Sequence, residues 1–158
     1  MKKISKDIPL SEITLRRYER PHKQTRRDVI RKLCLSIGLL QPGDSRDVIV
    51  DILYVLLNAK KQKKKLTSEE IKDKVVQARK KHKLPLIGIA SSNIRRQLRR
   101  LKDLFIVEKT NNLYRITEFL SMGEIFEEKL NGFLMPSLVS RVGEYFNAVD
   151  ENLKKSNK

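Results

Sequence analysis

The chain has 158 residues, enough for one core of ordinary size with extensions and too few for two full domains. Its 35 Lys and Arg against 19 Asp and Glu give a formal net charge of +16, so a polyanion is the expected partner. A single cysteine excludes an internal disulfide framework, and no stretch approaches the roughly 20 apolar residues of a membrane span. The first residues are too polar to read as a signal peptide, which predicts a soluble, cytoplasmic protein.

The charge is unevenly distributed. Residues 1–117 hold 30 basic and 12 acidic side chains, a net of +18, whereas residues 118–153 hold two and seven, a net of −5. A polyanion-binding body followed by an acidic helical tail implies two surfaces, the second facing protein.

In chain order, Pro9 to Tyr18 reads as a short helix, and Arg16, Arg17, Arg20, Lys23, Arg26 and Arg27 make residues 1–44 a basic helical arm. Thr25 with Asp28 opens a helix carrying Val29, Ile30, Leu33, Cys34 and Ile37 at helical spacing, ended by Gly38 and Pro42-Gly43. Cys34 in that pattern reads as a small buried hydrophobe. Asp44 or Ser45 is the expected cap of the next helix, in which Val48, Ile49, Ile52, Leu53, Val55, Leu56 and Leu57 cover nearly every side and predict a central position. A lysine run, Lys60 to Lys65, follows as a solvated loop. Thr67-Ser68-Glu69-Glu70 is a capping-box start for a third helix, with Ile71, Val75 and Ala78 on one face, running to about Lys81. Pro85 and Gly88 break the chain, leaving room for a short strand at Leu86 to Ile89, and Ser91 or Ser92 is the expected cap of a fourth helix.

This fourth helix, from about Ser92 to Leu104, turns Ile94, Leu98, Leu101 and Phe105 to one side and Ser92, Arg96, Arg99 and Asp103 to the other. Arg95 and Lys102 flank one edge and Arg100 the other. A structural helix needs a polar outer face but not arginine in particular. The rigid guanidinium fork suits phosphate oxygens and the guanine edge, and an α-helix fits the major groove. Ile106 to Thr110 and Leu113 to Thr117 then read as strands around an Asn111-Asn112 turn, in a register that sets Glu108 opposite Arg115 and Val107 opposite Ile116. A basic amphipathic helix followed at once by a hairpin is the signature of a winged helix-turn-helix, here spanning residues 45–117.

The run Ser91-Ser92-Asn93-Ile94-Arg95-Arg96-Gln97-Leu98-Arg99-Arg100-Leu101, with Tyr114-Arg115-Ile116-Thr117 after it, resembles prokaryotic winged-helix regulators of the MarR and ArsR type. The lysine-rich layout is also similar to that of winged-helix regulators of the euryarchaeal archaellum. The resemblance implies a sequence-specific, double-stranded-DNA-binding transcriptional regulator. It places Ser92, Arg95, Arg96 and Arg99 where base and phosphate contacts are made and Lys109, Asn111, Asn112 and Arg115 on the wing; Ser91, Asn93, Arg100 and Lys102 on the same helix are further expected DNA contacts. Phe105 departs from the pattern, standing where such families often have glycine, and the turn before the recognition helix is long.

Residues 118–158 form the C-terminal extension. Glu118 to Leu134 carries a broad apolar face including Phe119, Leu120, Ile125, Leu130 and Phe133, and Pro136 reads as the start of a separate last helix. There Val139, Val142, Phe146, Val149 and Leu153 follow spacings of three and four, a two-heptad seam that predicts a homodimer. His22 and His82 are isolated among charges, and no glycine-rich phosphate loop occurs, so neither an enzyme, a metal site nor a cofactor is expected. The overall expectation is a mainly α protein: a winged helix-turn-helix with a basic N-terminal helical arm and a C-terminal helical extension. RNA or ribosome binding and a protein-interaction adaptor remain alternatives, although few aromatic residues are available to stack on single-stranded bases.

Overall fold

The computed structural model describes residues 7–156 and is mainly helical, with one small antiparallel sheet. Helix α1 (Arg26–Ser36) opens on Thr25, whose hydroxyl accepts from the Asp28 amide at 3.2 Å. Helix α2 (Val48–Lys61) is buried without a break from Val48 to Leu53 and again at Val55 and Leu56, which puts it at the centre of the core. Helix α3 (Ser68–Lys81) starts with the expected capping box: the Thr67 amide donates to Glu70 Oε1 at 2.9 Å, and the Glu70 amide to the Thr67 hydroxyl at 3.1 Å. Helix α4 (Ser91–Asp103) buries Ile94, Leu98 and Leu101 against the others. Residues of all four helices join those of the C-terminal segment, Ile125, Leu130 and Leu134, in one apolar cluster.

Strands β1 (Val107–Thr110) and β2 (Leu113–Ile116) pair in the anticipated register, Glu108 opposite Arg115 and Val107 opposite Ile116. Asn111 and Asn112 both take left-handed backbone angles, φ +51° and +64°, as a two-residue turn matched to the strand twist requires. A third backbone partner comes from outside the hairpin. Leu66, just before α3, exchanges two hydrogen bonds of 2.9 and 2.7 Å with Tyr114 and so docks the hairpin onto the helices.

Several expectations are corrected. Pro9 to Tyr18 forms no helix, and Arg16 anchors it to the body instead. The Arg16 amide donates to the Ser36 carbonyl at 2.8 Å, while its guanidinium reaches the carbonyls of Leu35 and Leu40, capping the end of α1. The N-terminal arm is therefore a strap, drawn so close that a Cβ at Gly38 would stand 2.5 Å from Thr14 Cβ. Val29 is largely exposed instead of core. Neither Asp44 nor Ser45 caps α2: Asp44 accepts from the Arg46 amide at 2.9 Å, and the residue at the cap position is Asp47. Residues 82–90 contain no strand, and α4 begins after Ala90 with no side-chain cap, so neither Ser91 nor Ser92 plays that part.

Phe105 lies beyond α4, not on its buried face. It holds the left-handed position that ends the helix, at φ +62°, with its amide bonded to Lys102 and that of Ile106 to Leu101. The conformation usually given to glycine is adopted here by a residue whose ring meets Phe133 edge-on, centroids 5.7 Å apart.

After a short turn at Thr117–Phe119, a capping box between Ser121 and Glu124 starts α5 (Met122–Ile125). The helix widens into a nine-residue π-helical segment, Phe126–Leu134, and continues as α6 (Met135–Ser156). Pro136 therefore does not begin a separate helix. It lies in the first turn after the π segment, where the hydrogen-bond register is already changing.

Candidate nucleic-acid interface

The platform beneath α4 is held by charge as well as by apolar packing. Arg79 follows Ile71 and Val75 at four-residue spacing on the inner face of α3, and its guanidinium is buried against Asp51 at 2.5 Å and Asp47 at 3.1 Å. Arg27 joins both carboxylates from α1 and Arg31 joins Asp47, so three guanidinium groups share two carboxylates. Burial raises the Asp47 pKa, but hydrogen bonds and attraction from Arg27 and Arg79 outweigh it and hold the carboxyl below its usual range. Arg79 also donates to the Pro85 carbonyl at 2.7 Å, which ties the connection leading into α4 to the same network. Cys34 is fully buried, and burial pushes its thiol up to about 12, leaving it unreactive at neutral pH.

On this base α4 turns Ser92, Arg95, Arg96, Arg99, Lys102 and Asp103 outward. Arg95, Arg99 and Lys102 have no ion pair or side-chain hydrogen bond among the described residues, so their charged ends are free for an external partner. Arg96 is steadied by Asn93 Oδ1 at 3.2 Å. Asn93 also donates to the Gly88 carbonyl at 2.7 Å and accepts from Gln97, a buried side chain that the sequence reading missed. Ser91 accepts from Lys72 of α3 at 3.2 Å. Arg100 leans back onto the body, donating to Gln97 Oε1 at 2.7 Å and the Gly38 carbonyl at 3.2 Å. Burial first, and then the charge of Arg96, lower its pKa.

The hairpin presents Lys109, Asn111 and Asn112 at its exposed end, with the Lys109 ammonium 5.6 Å from the centre of the Tyr114 ring. Arg115 is more committed: its guanidinium pairs with Glu108 and lies 4.8 Å over the Phe119 ring. Past Lys60, which bonds to the Leu120 carbonyl, the lysine run of residues 61–65 is exposed and leads into Leu66, which joins the hairpin at Tyr114, next to the turn. The structure thus gathers a free cationic face on α4, a polar hairpin tip and a lysine loop. Among the DNA contacts expected from sequence, Ser91, Asn93, Arg96, Arg100, Lys109 and Arg115 have partners within the protein.

Val139, Val142, Phe146, Val149 and Leu153 are all 54 to 71 % exposed along α6. They take no part in the chain's own core. Among the described residues, no group of His, Cys, Asp and Glu is arranged to hold a metal ion, and no helix is long and apolar enough to cross a membrane. Comparison with family models, curated proteins and solved structures finds no match to this chain.

Proposed function

We propose that the protein is a site-specific double-stranded-DNA-binding regulator of transcription with a winged-helix architecture. In this reading α2, α3 and α4 form the helical unit, α4 is the recognition helix, and the hairpin is the wing, joined by Leu66 as the stub of a third strand. The carrying observation is the outer face of α4, where Arg95 and Arg99 are unpaired beside Arg96 while Ile94, Leu98 and Leu101 lock the opposite face. Lysines and arginines across the body supply salt-sensitive affinity for phosphates, and Ser92, Arg95, Arg96 and Arg99 read base edges or the phosphates beside them. Lys109 and the asparagine tip touch the neighbouring groove or backbone. No catalysis and no cofactor enter this mechanism.

The same reading includes a homodimer through α6. A three-four repeat of apolar residues is complementary to an identical seam, and a 22-residue helix of about 33 Å offers two heptads of it. Within α6, Arg141, Lys154 and Lys155 balance Glu144, Asp150 and Glu151, so a second copy meets no net repulsion there despite the strongly basic body. The deciding experiment is selection of bound duplexes from a random DNA pool at physiological salt, with a structured RNA pool as control. Enrichment of a defined duplex motif is the expected result; equal retention of RNA and unselected DNA would overturn the reading.

A further inference from the structure

Beside the exposed face of α4 lies a cleft of about 480 Å³ bounded by α4, the start of α2 and the segment before it. Three arginines line it, Arg46, Arg96 and Arg100, with Asp44 as the one acidic residue. None of the three forms an ion pair among the described residues. Arg96 and Arg100 donate only to the uncharged oxygens of Asn93, Gln97 and Gly38, and the Arg46 side chain has no partner among the described residues. Asp44 is engaged with the backbone amide of Arg46. Val48 and Ile49, at the start of α2, form part of the cleft wall, and Asp47 just before them makes no side-chain cap, its carboxylate being paired with Arg27, Arg31 and Arg79. The partial positive charge of that helix end adds to a cluster of three arginines faced by one carboxylate, that of Asp44.

We propose that this cleft binds one phosphate group of the DNA backbone, held by Arg46, Arg96 and Arg100, and so fixes the angle at which α4 meets its groove. The inference rests on the DNA-binding reading and adds Arg46, which lies far from the recognition helix in sequence. A backbone phosphate is favoured over a free nucleotide because no aromatic side chain lines the cleft to stack on a base, and because Arg96 belongs both to the cleft and to the outer face of α4.

The test is the affinity of Arg46→Ala for a selected duplex and for random duplex between low and high salt, with thermal unfolding to verify the fold. Arg46→Gln, which retains more of the stem, is the second variant. Loss of one phosphate contact lowers the log-log salt slope by about 0.9, which is about eight-fold in affinity at 0.1 M salt relative to 1 M. That loss, equal on selected and random DNA and reversed in part by Arg46→Lys, is the expected result. Unchanged affinity and slope in both variants, with the unaltered protein still binding its selected duplex, overturns the cleft and leaves the DNA reading standing. No binding of any duplex by the unaltered protein removes both. Titration of inorganic pyrophosphate into the free protein separates the sources: binding lost in Arg46→Ala while the DNA slope stays unchanged makes a free anion the occupant and overturns the assignment to DNA.

Discussion

Arg79 on α3 and Asp51 on α2 are each only 1 % exposed, and they form a direct ion pair in the middle of the molecule. A lone buried charge is costly, whereas one that shares its hydrogen bonds with Arg27 and Asp47 is tolerable. Asp51→Asn leaves Arg27 and Arg79 with Asp47 as their only carboxylate. We expect it to cost about 3 to 5 kcal/mol in urea unfolding. A loss below about 1 kcal/mol would show that the network contributes little.

The pH dependence follows from Asp47. Its carboxyl is held below the usual range, so the unfolded chain takes up a proton at higher pH than the native one does. Its contribution is complete above the ordinary aspartate value of about 3.9 and is lost as pH falls from there through the lower native value. Unfolding free energy should therefore drop below about pH 4, and Asp47→Asn should flatten that drop while lowering stability at neutral pH. An identical acid limb in the variant would contradict this account.

Reading of sequence and diffuse attraction separate at α4. Arg99→Ala removes an unpaired guanidinium from the centre of the outer face and should cost roughly 1 to 3 kcal/mol on a selected duplex, narrowing the gap to random DNA. Lys64→Ala in the exposed loop should weaken both about equally and reduce the salt slope. Equal factors for both variants on both duplexes would make the protein a non-specific binder.

The seam on α6 predicts an oligomeric state. Val142→Asp with Phe146→Asp alters two exposed residues, so the body should keep its unfolding temperature while the protein sediments as a monomer and binds its operator more weakly. Retention of the original mass would exclude this face as the contact.

What could be read from the sequence was what is local. The Thr67–Glu70 box and the Glu108–Arg115 register each depend on residues within seven positions, and both stand as expected. The misreadings share a different cause. The inner face of α3 reads from sequence as Ile71, Val75 and Ala78, without Arg79, because the carboxylates that Arg79 meets lie 28 and 32 residues away. Pro9 to Tyr18 has a helical pattern, but Arg16 finds carbonyls at and just beyond the C-terminal end of α1 that an isolated segment does not possess. Within the candidate interface the exposed arginines of α4 were visible from helical phase alone, whereas the cleft at Arg46 exists only once α2 is folded against α4.

The π-helical stretch between the body and α6 acts as an angular offset. Its i→i+5 bonds wind more slowly than the 3.6 residues per turn on either side, so the apolar line of α6 points in a direction different from the one Ile125 would set in an unbroken α-helix. Gly132 permits the wide turn, since a Cβ there would come within 2.8 Å of the Glu127 carbonyl oxygen. Removing one residue from Phe126–Leu134 would rotate the distal helix about its axis by a little less than the roughly 100° per residue of an α-helix. In the proposed dimer that rotation would swing one recognition helix around the other. The spacing of operator half-sites would then be written in the winding of a helix that touches no DNA.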